Sequence, residues 1–496
     1  MRVSANGVTL CTLVLLSAGC ASRPASVALP ESLEQRCEQL YRDFDATVQR
    51  ANRIDTESAR VRGVPYLRAD RFTASLKDRA SEGPAFDTWL ERLRALDTTA
   101  REYEWSNLPR ADQQQLARRF PALGESAGNA LDACGRTLAR RDFSDARPRE
   151  SLRQIIRIPD DYDTWKRVVG LYALTRIPFA SGVRRYQSET LETFETDLGK
   201  LAQHGQLVFY GPARGSRADA AEIRQILSQA RVDALGVPSF EPSALERLLD
   251  AYAPVYWIDV VDHNDRIGTV RLQERGEVSV DIAQPMQYRR LAYTRYGDQI
   301  LVQLVYSVWL PARPRTGAFD LLGGHLDGIT WRVTLAAEGV PLLYDSIHNC
   351  GCYQQFFPTR RMSLKPQPQT LDETAFVPQQ GPELPDHERI WLRIASRTHY
   401  IERVLAGPQP DETTVYAVAS DEALRSLPVS ESATRSIFGA EGIVPGSERR
   451  ERWLYWPMGV REPGAMREWG HHATAFIGRR HFDDADLIER YFEHNP

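Results

Sequence analysis

The spacing of apolar residues changes about halfway along the chain. In the first part they recur three and four residues apart, as in "ESLEQRCEQLYRDFDATVQRANR", and Arg and Glu fill many of the positions between them. This period is typical of amphipathic helices. After residue 253 apolar and polar residues alternate, as in "VYWIDVV" and "VSVDIA", which indicates strands. The pattern predicts an α+β fold, with a mainly helical N-terminal region over 31–250 followed by a mainly antiparallel β region.

Changes in composition divide the β region further. Its first part is predicted over 251–362 and ends at a stretch rich in Pro and Gln, 363–385, which is typical of a linker or a long surface loop. Alternation then returns in segments such as "IWLRIAS" and "HHATAFIG". Residues 386–496 are therefore predicted to continue the β-rich region and to end in a helix.

One hairpin can be predicted together with its register. The segment "YRRLAYTRYGDQILVQLVYSVWLPA" has a turn signal at Gly297 and Asp298, between two runs of alternating residues. A two-residue turn at that point sets Tyr293 opposite Val302. The larger apolar residues of both strands then share one face, which supports this register.

A second hairpin carries the most unusual cluster of the sequence. The segment "ITWRVTLAAEGVPLLYDSIHNCGC" has its turn at Gly339. Symmetric pairing about this turn, continued by alternation, places His348, Cys350 and Cys352 on one strand face, opposite glycines of the neighbouring strand. Asp327 is expected on the other face.

These three side chains raise the question of a metal site. Thiolate and imidazole groups bind zinc or copper, and a fourth ligand would have to come from elsewhere in the chain. The available imidazoles are those of His399, His471, His472 and His481. The spacing leaves alternatives open, because a disulfide between Cys350 and Cys352, ordinary packing under neighbouring aromatic residues, and a catalytic thiol fit the same residues.

The N-terminus has the features of a signal peptide. Arg2 supplies a positive charge, and residues 8–16 form an apolar run too short to span a bilayer. The run is followed by "LSAGC", which ends at Cys20 and resembles the lipobox of bacterial lipoproteins. It departs from the usual pattern at Ser17, where that family usually has Leu.

The lipobox resemblance implies where the protein is located. Residues 1–19 would be removed, Cys20 would be acylated, and residues 20–30 would form a flexible tether. Ala21 after the cysteine implies sorting to the outer membrane, with the protein body in the periplasm. Ordinary cleavage near Ala18 or Ala21, without lipid, is the alternative.

Two further cysteines lie on predicted helices. Cys37 and Cys134 each belong to an apolar stripe that points inward from an amphipathic helix. In an oxidising compartment the two are predicted to form a disulfide. Two separate buried thiols are the alternative, since free cysteine packs as a small hydrophobic residue.

The most apolar segment after the signal peptide is "VVGLYALTRIPFASGV", residues 168–183. Arg176 and Pro178 interrupt it, so it is not a simple membrane span. We expect a buried helix with a kink at the proline. The alternative is a helix on a membrane surface, because basic residues flank the segment at Lys166, Arg167, Arg184 and Arg185.

The composition of the chain and the motifs that it lacks limit the classes of function that fit the sequence. The 496 residues include 62 basic and 66 acidic ones, so the net charge of -4 does not indicate a nucleic-acid partner. The sequence lacks the common hydrolase, zinc-protease, phosphate-binding and dinucleotide-binding motifs. We therefore expect a lipid-anchored envelope lipoprotein that acts as a binding or scaffold module, with envelope components or a small molecule as partner. The alternative is a zinc- or copper-dependent envelope enzyme, hydrolytic or oxidative, that uses His348, Cys350 and Cys352.

Overall fold

The computed structural model describes residues 32–215, 217–368 and 370–495. Helices dominate as far as residue 200 and strands dominate after it, which confirms the predicted α+β class. A short strand pair, β1 (Ala59–Arg60) and β2 (Arg68–Ala69), lies between the first two helices. The helices of this part are α1 (Leu33–Ala51), α2 (Arg71–Ser75), α3 (Gly83–Asn107), α4 (Arg110–Arg119), α5 (Pro121–Glu125), α6 (Ala127–Asp142), α7 (Ala146–Ile155), α8 (Thr164–Val169) and α9 (Tyr172–Glu195).

Local sequence explains both ends of α1, and a disulfide fixes the helix to α6. Ser32 and Gln35 form a reciprocal capping box at the N-terminus of α1, and Asn52 takes the left-handed conformation that ends it. Cys37 of α1 is bonded to Cys134 of α6, with 5.1 Å between their Cα atoms. The structure thus contains the predicted disulfide. It closes a loop of 97 residues, which in the chain-entropy model stabilises the fold by about 4 to 5 kcal/mol.

The second part of the chain is built mainly from strands. The helices described among them are α10 (Ala220–Ser228), α11 (Pro242–Ala251), α12 (Arg452–Tyr455) and α13 (Leu487–Tyr491). The strands are β3 (Gln206–Gly211), β4 (Arg231–Val232), β5 (Pro238–Ser239), β6 (Val255–Val260), β7 (Thr269–Leu272), β8 (Val278–Asp281), β9 (Met286–Tyr296), β10 (Gln299–Arg313), β11 (Gly324–Leu335), β12 (Pro341–His348), β13 (Gln355–Pro358), β14 (Met362–Leu364), β15 (Arg389–Ile394), β16 (Ile401–Gly407), β17 (Thr413–Val415), β18 (Ala417–Ser420), β19 (Leu427–Ser430), β20 (Ala433–Arg435) and β21 (Phe492–His494).

Two larger sheets share one apolar core. The order of the first is β13-β12-β11-β10-β9-β18 and that of the second is β16-β15-β6-β3-β17. Strand pairing is antiparallel within them except for β18 with β9, β15 with β6 and β17 with β3, which are parallel. The core joins side chains of both sheets, such as Trp331 and Leu304 of the first and Tyr256 and Leu392 of the second. Strand β3 lies within 31–250, so the β region begins earlier than the change of pattern indicates.

Other sequence-based expectations can be compared with this architecture. The β9–β10 hairpin has the predicted register, with Tyr293 opposite Val302. Among its described residues, the segment 363–385 has no helix or strand beyond the end of β14, as expected of a loop. The predicted C-terminal helix is present as the short α13.

Buried ion pairs connect the helical region to the β region. Glu57, in the loop between α1 and β1, lies 2.6 Å from the guanidinium of Arg290 on β9 and 3.4 Å from that of Arg425. Arg425 also pairs with Asp55 at 2.7 Å. Burial by itself would raise the pKa of Glu57, but Arg290 and Arg425 outweigh it and lower that pKa to about 2. We call these four residues the region junction.

The segment 168–183 differs from expectation. It forms the end of α8 and the first half of α9, with Pro178 inside the helix, and several of its apolar side chains are exposed although Ala180 is buried. Leu174 is 64% exposed and Ile177 is 53% exposed. The expectation of a buried helix is wrong because α9 lies outside the two sheets and buries little of its length. No helix in the described ranges is both long enough and apolar enough to cross a membrane.

Candidate functional site

A one-residue bulge sets the geometry around His348. The β11–β12 hairpin turns at Gly339 as predicted, and Leu335 pairs with Pro341. The next pair is Thr334 with Leu343, so β12 holds one extra residue. The bulge lets the consecutive residues Leu342 and Leu343 enter the same apolar cluster, which strict alternation would prevent.

The bulge overturns the predicted register beyond the turn. His348 lies opposite Ile329 rather than Gly328, so it shares a face with Asp327. The space beside Gly328 is filled by the side chain of Asn349, whose amide donates to the carbonyl of Val308. The prediction that His348 and Asp327 point to opposite faces is therefore wrong, and the two are in direct contact.

His348 belongs to a buried chain of acids and imidazoles. Its Nδ1 lies 3.2 Å from one carboxylate oxygen of Asp327, and Nδ1 of His399 lies 2.8 Å from the other. The Nε2 atom of His399 lies 3.3 Å from Asp265, and the guanidinium of Arg449 lies 3.2 Å from Asp327. All five side chains are almost completely buried.

The charges of this chain are set by its contacts. Burial would raise the pKa of Asp327, but Arg449 and the histidines hold it well below its usual range. Burial lowers the pKa of His348 despite the neighbouring carboxylate. For His399, burial is outweighed by hydrogen bonds to Asp265 and Asp327, so its pKa is raised. The chain therefore has a stable ionised centre at Asp327.

The two cysteines lie in a turn, not on a continued strand. Strand β12 ends at His348, and Gly351 takes a φ of +88°, a conformation that favours glycine. The backbone N–H of His348 donates to the carbonyl of Cys352 at 3.0 Å, which closes the turn. Cys350 and Cys352 are both free and buried. Their mutual hydrogen bond lowers the pKa of Cys350, and the same bond together with burial raises that of Cys352.

The predicted zinc or copper site has no geometric support in the described residues. Among them, no group of three or more His, Cys, Asp and Glu side chains is arranged to hold a metal ion. His348 contacts Asp327, whereas the thiols contact each other. Of the imidazoles considered as a fourth ligand, His399 joins the Asp327 chain, His471 and His481 bind Asp161, and burial lowers the pKa of His472 to about 3.

A cavity of about 580 Å³ lies directly beside this turn. Residues 350–354 form part of its wall, α9 and α12 flank it, and segments near residues 374 and 474 complete it. Its lining includes the aromatic rings of Phe179, Tyr186, Tyr353, Phe376, Tyr400 and Tyr455. We call it the α9 cavity. The volume and the aromatic lining are those of a site for a small organic molecule.

The opening of the α9 cavity can be located from the lining residues that stay exposed. They are Pro178, Gly182, Arg185 and Glu189 of α9 and Leu454 of α12. A Cβ atom added at Gly182 would meet no other atom within 4 Å. The opening therefore lies between these two helices.

Glu451 is the most unusual group in the wall of the cavity. Its residue surface is 3% exposed, yet its carboxylate has no hydrogen-bond or ion-pair partner among the described residues. It lies against Gly464, where any Cβ atom would collide with the carboxylate. Its oxygens are not among the side-chain atoms that are shielded from solvent, so they face the open space of the cavity, where the donor group of a ligand can contact them.

The pKa of Glu451 is set by burial and by the charged groups around its carboxyl. Burial raises its pKa to about 7, although the nearby guanidiniums of Arg449 and Arg313 favour the ionised form. The carboxylates of Asp327 and Asp320 add to the effect of burial. Glu451 can therefore donate a hydrogen bond when protonated and attract a cation when ionised.

Sequence reasoning found one edge of this site and missed the rest. The cluster His348–Cys352 borders the cavity, but Glu451, Tyr400 and α9 come from distant parts of the chain. No local motif marks Glu451 in "GSERRERWLYWP". The only signal of a site there is the density of aromatic residues that follow it.

The comparisons with family models, with curated proteins and with solved structures give no match. The function must therefore be argued from the residues themselves.

Proposed function

We propose that this chain is a lipid-anchored envelope lipoprotein whose body lies in the periplasm and binds a small organic ligand in the α9 cavity. The anchor is supported by the apolar run and the lipobox-like residues that end at Cys20, which lies outside the described residues. The binding role is carried by one observation: a buried carboxylate, Glu451, without a partner among the described residues, in the wall of an aromatic-lined cavity.

The lining indicates the chemistry of the ligand. Aromatic rings favour a flat or branched apolar group, and they also attract a cation over their faces. Glu451 would contact a hydroxyl, an amine or another group that donates a hydrogen bond. The ligand would therefore combine an apolar body with at least one donor group.

Binding fits the geometry better than the metal-dependent enzyme considered as the alternative. That alternative depends on His348, Cys350 and Cys352 acting together, and in the structure these side chains have other partners. The imidazole of His348 is buried against Asp327 and the rings of Tyr353 and Tyr400. These contacts give the wall of the cavity a rigid base on which a ligand can rest.

The anchor is tested by cell fractionation. The Cys20→Ala chain should lose its acyl chains and leave the membrane fraction, because several acyl chains together hold a protein stably on a bilayer. Equal retention of this variant in the membrane fraction would contradict the proposed anchor. Mass spectrometry of the N-terminal peptide of the unaltered protein should show the lipid directly.

The cavity is tested with a fluorescent probe. We would titrate N-phenyl-1-naphthylamine, a neutral aromatic amine, into a chain that begins at Ala21 and keeps every described residue. We expect a saturable rise in fluorescence with about one probe bound per chain, because the cavity can enclose a molecule of this size. Gly182→Trp should abolish the rise by placing an indole at the opening.

The matched control is Gly199→Trp. Gly199 also has open space around an added Cβ atom, but it does not line the cavity. This variant should bind the probe as the unaltered chain does. Equal binding by the Gly182→Trp chain would contradict the cavity as the site, and an absence of saturable binding in the unaltered chain would contradict the proposed function.

A further inference from the structure

Six exposed apolar residues that are close in sequence lie on α8, between α8 and α9, and at the start of α9. The side chains are between 53% and 70% exposed, which is unusual for residues of this kind. They are Trp165, Val168, Val169, Leu171, Leu174 and Ile177. We call this set the α8–α9 surface. Single exposed apolar residues need no explanation, but a contiguous set marks a surface that contacts something.

The way these helices are attached explains why the surface is free. Among the described residues of α8 none is buried, and in α9 only Ala180 and Phe194 are. The backbone N–H of Asp163 donates to the carbonyl of Gly459 at 2.7 Å, which fixes the start of α8 to the body. The inner side of the helix pair is thus held, and the outer side carries the apolar residues.

We propose that the α8–α9 surface rests on an anionic phospholipid bilayer. A helix that lies in a membrane interface combines an apolar face with cationic residues beside it and with tryptophan at the boundary. Trp165 is 62% exposed at one end of the surface. Trp453, on α12 beside the turn that packs against α8, is 72% exposed. Both indoles can lie at the level of the lipid headgroups.

The charges next to the surface complement an anionic membrane. Arg184 and Arg185 are exposed on α9 about two turns after Ile177, and neither has a hydrogen-bond or ion-pair partner in the described ranges. Lys166 pairs with Asp163, so it contributes less than the two arginines to the attraction of anionic lipid. The acidic residues of α9 begin only at Glu189, one turn further on. The two arginines are therefore free to contact phosphate groups.

The number of residues between the proposed anchor and the described body limits how far the body can move from the bilayer. The 12 residues from Cys20 to the first described residue, Ser32, can span at most about 40 Å. An anchor at Cys20 would thus keep the body close to the bilayer, so that even weak surface contact would be favoured by a high effective concentration. The inference rests on the proposed location in the envelope, but it concerns a different part of the molecule.

The surface also borders the opening of the α9 cavity. Pro178, at that opening, directly follows Ile177 along α9, and Gly182 lies about one turn further on. Leu454, on the other side of the opening, is 54% exposed and adjoins Trp453. A chain seated on the bilayer by this surface would present its cavity to the interface.

The surface is tested with vesicles and a chain that lacks the anchor. The chain that begins at Ala21 carries no acylated cysteine, so its binding reports on the surface alone. We expect it to sediment with vesicles of three parts phosphatidylcholine and one part phosphatidylglycerol, and much less with phosphatidylcholine alone. The emission of tryptophan should shift to shorter wavelength on binding, and higher salt should weaken the binding.

Two variants should break the contact and one should not. Leu174→Ser combined with Ile177→Ser should weaken binding by at least about tenfold, because it removes two large apolar groups from the contact. Arg184→Glu combined with Arg185→Glu should remove the preference for anionic vesicles. Val232→Ser is the control, because Val232 is 64% exposed and lies on β4, which pairs with β5 away from α8 and α9. Since all these residues are exposed, the urea midpoint of each variant should match that of the unaltered chain.

Three results would overturn the proposal. The first is no binding of the unanchored chain to anionic vesicles. The second is equal binding by the Leu174→Ser, Ile177→Ser chain. The third is a concentration-dependent dimer that this double variant abolishes and that vesicles do not displace, which would assign the surface to a second copy of the chain. None of these results bears on acylation of Cys20, which the fractionation experiment tests separately.

Discussion

Two buried glutamates in different regions show how neighbours decide the role of a charge. At the region junction, Glu57 lies between Arg290 and Arg425, and its pKa is lowered to about 2. In the wall of the α9 cavity, Glu451 has no partner among the described residues, and burial raises its pKa to about 7. The carboxyl of Glu57 is therefore ionised at neutral pH, whereas the carboxyl of Glu451 titrates close to neutral pH. Glu57 thus contributes to the fold, whereas Glu451 is the residue that we propose contacts a ligand.

The two glutamates also affect the stability of the folded chain in opposite directions. The region junction joins parts of the chain that are more than 230 residues apart, so the paired charges there help to define the fold. An unpaired carboxylate in a cavity wall lowers the stability of the folded chain whenever it is ionised. Functional sites commonly retain such unfavourable groups because ligand binding needs them. This contrast can be tested at each of the two sites.

The largest effect is expected when the region junction loses a cation. Arg290 is nearly buried and pairs with both Glu57 and Asp421, so Arg290→Met leaves buried carboxylates only partly compensated. We expect a loss of about 3 to 5 kcal/mol in the free energy of unfolding at pH 7, measured with urea. Arg231→Met is the matched control, because Arg231 pairs with Glu241 on the surface. That change should cost less than about 1 kcal/mol.

Neutralising Glu57 should remove the pH dependence that this carboxylate contributes. A carboxylate whose pKa falls on folding stabilises the fold above its unfolded pKa of 4.5, and this stabilisation is lost as the pH falls towards about 2. Glu57→Gln should therefore be less stable than the unaltered chain by about 3 kcal/mol at pH 7. The difference between the two chains should shrink steadily below pH 4.5. A difference that does not change with pH would contradict the assignment of the low pKa to Glu57.

The opposite result is expected for Glu451. A carboxyl whose pKa rises on folding stabilises the fold fully below pH 4.5 and loses that contribution as the pH rises through about 7. Glu451→Gln should match the unaltered chain at pH 4 and should be more stable at pH 8 by up to about 3 kcal/mol. Urea unfolding at the two pH values decides this. A glutamine variant that is less stable at pH 8 would show that Glu451 has a structural partner, and the contrast with Glu57 would fail.

The smallest loss of unfolding free energy is expected when the wall of the cavity loses one hydrogen bond. Nη2 of Arg313 donates to the hydroxyl of Tyr400 at 3.1 Å, while Nη1 of Arg313 has no acceptor among the described residues. Tyr400→Phe should therefore cost about 1 kcal/mol in unfolding free energy, the usual contribution of one hydrogen bond. Tyr491→Phe is the control, because no described residue hydrogen-bonds its hydroxyl. A loss above about 3 kcal/mol would mean that the wall is held as firmly as the region junction.

The sequence by itself determined the parts of this protein that depend on local pattern. The change from helical to alternating period gave the α+β class, and the Gly297–Asp298 turn gave the register of the β9–β10 hairpin. Inward-facing positions on two helices were enough to predict the disulfide between Cys37 and Cys134. These features follow from periodicity and turn chemistry, which act over a few residues.

The tertiary structure decided what depends on distant neighbours. A single bulge at Leu342, favoured because two consecutive leucines enter one apolar cluster, brought Asp327 and His348 to the same face and overturned the predicted register. The exposure of α9 followed from its position outside the sheets, which its apolar sequence did not reveal. Glu451 became the centre of the candidate site only because segments from across the chain enclose it without providing a partner among the described residues. A sequence pattern records which residues alternate, whereas burial and pairing depend on which segments pack together in space.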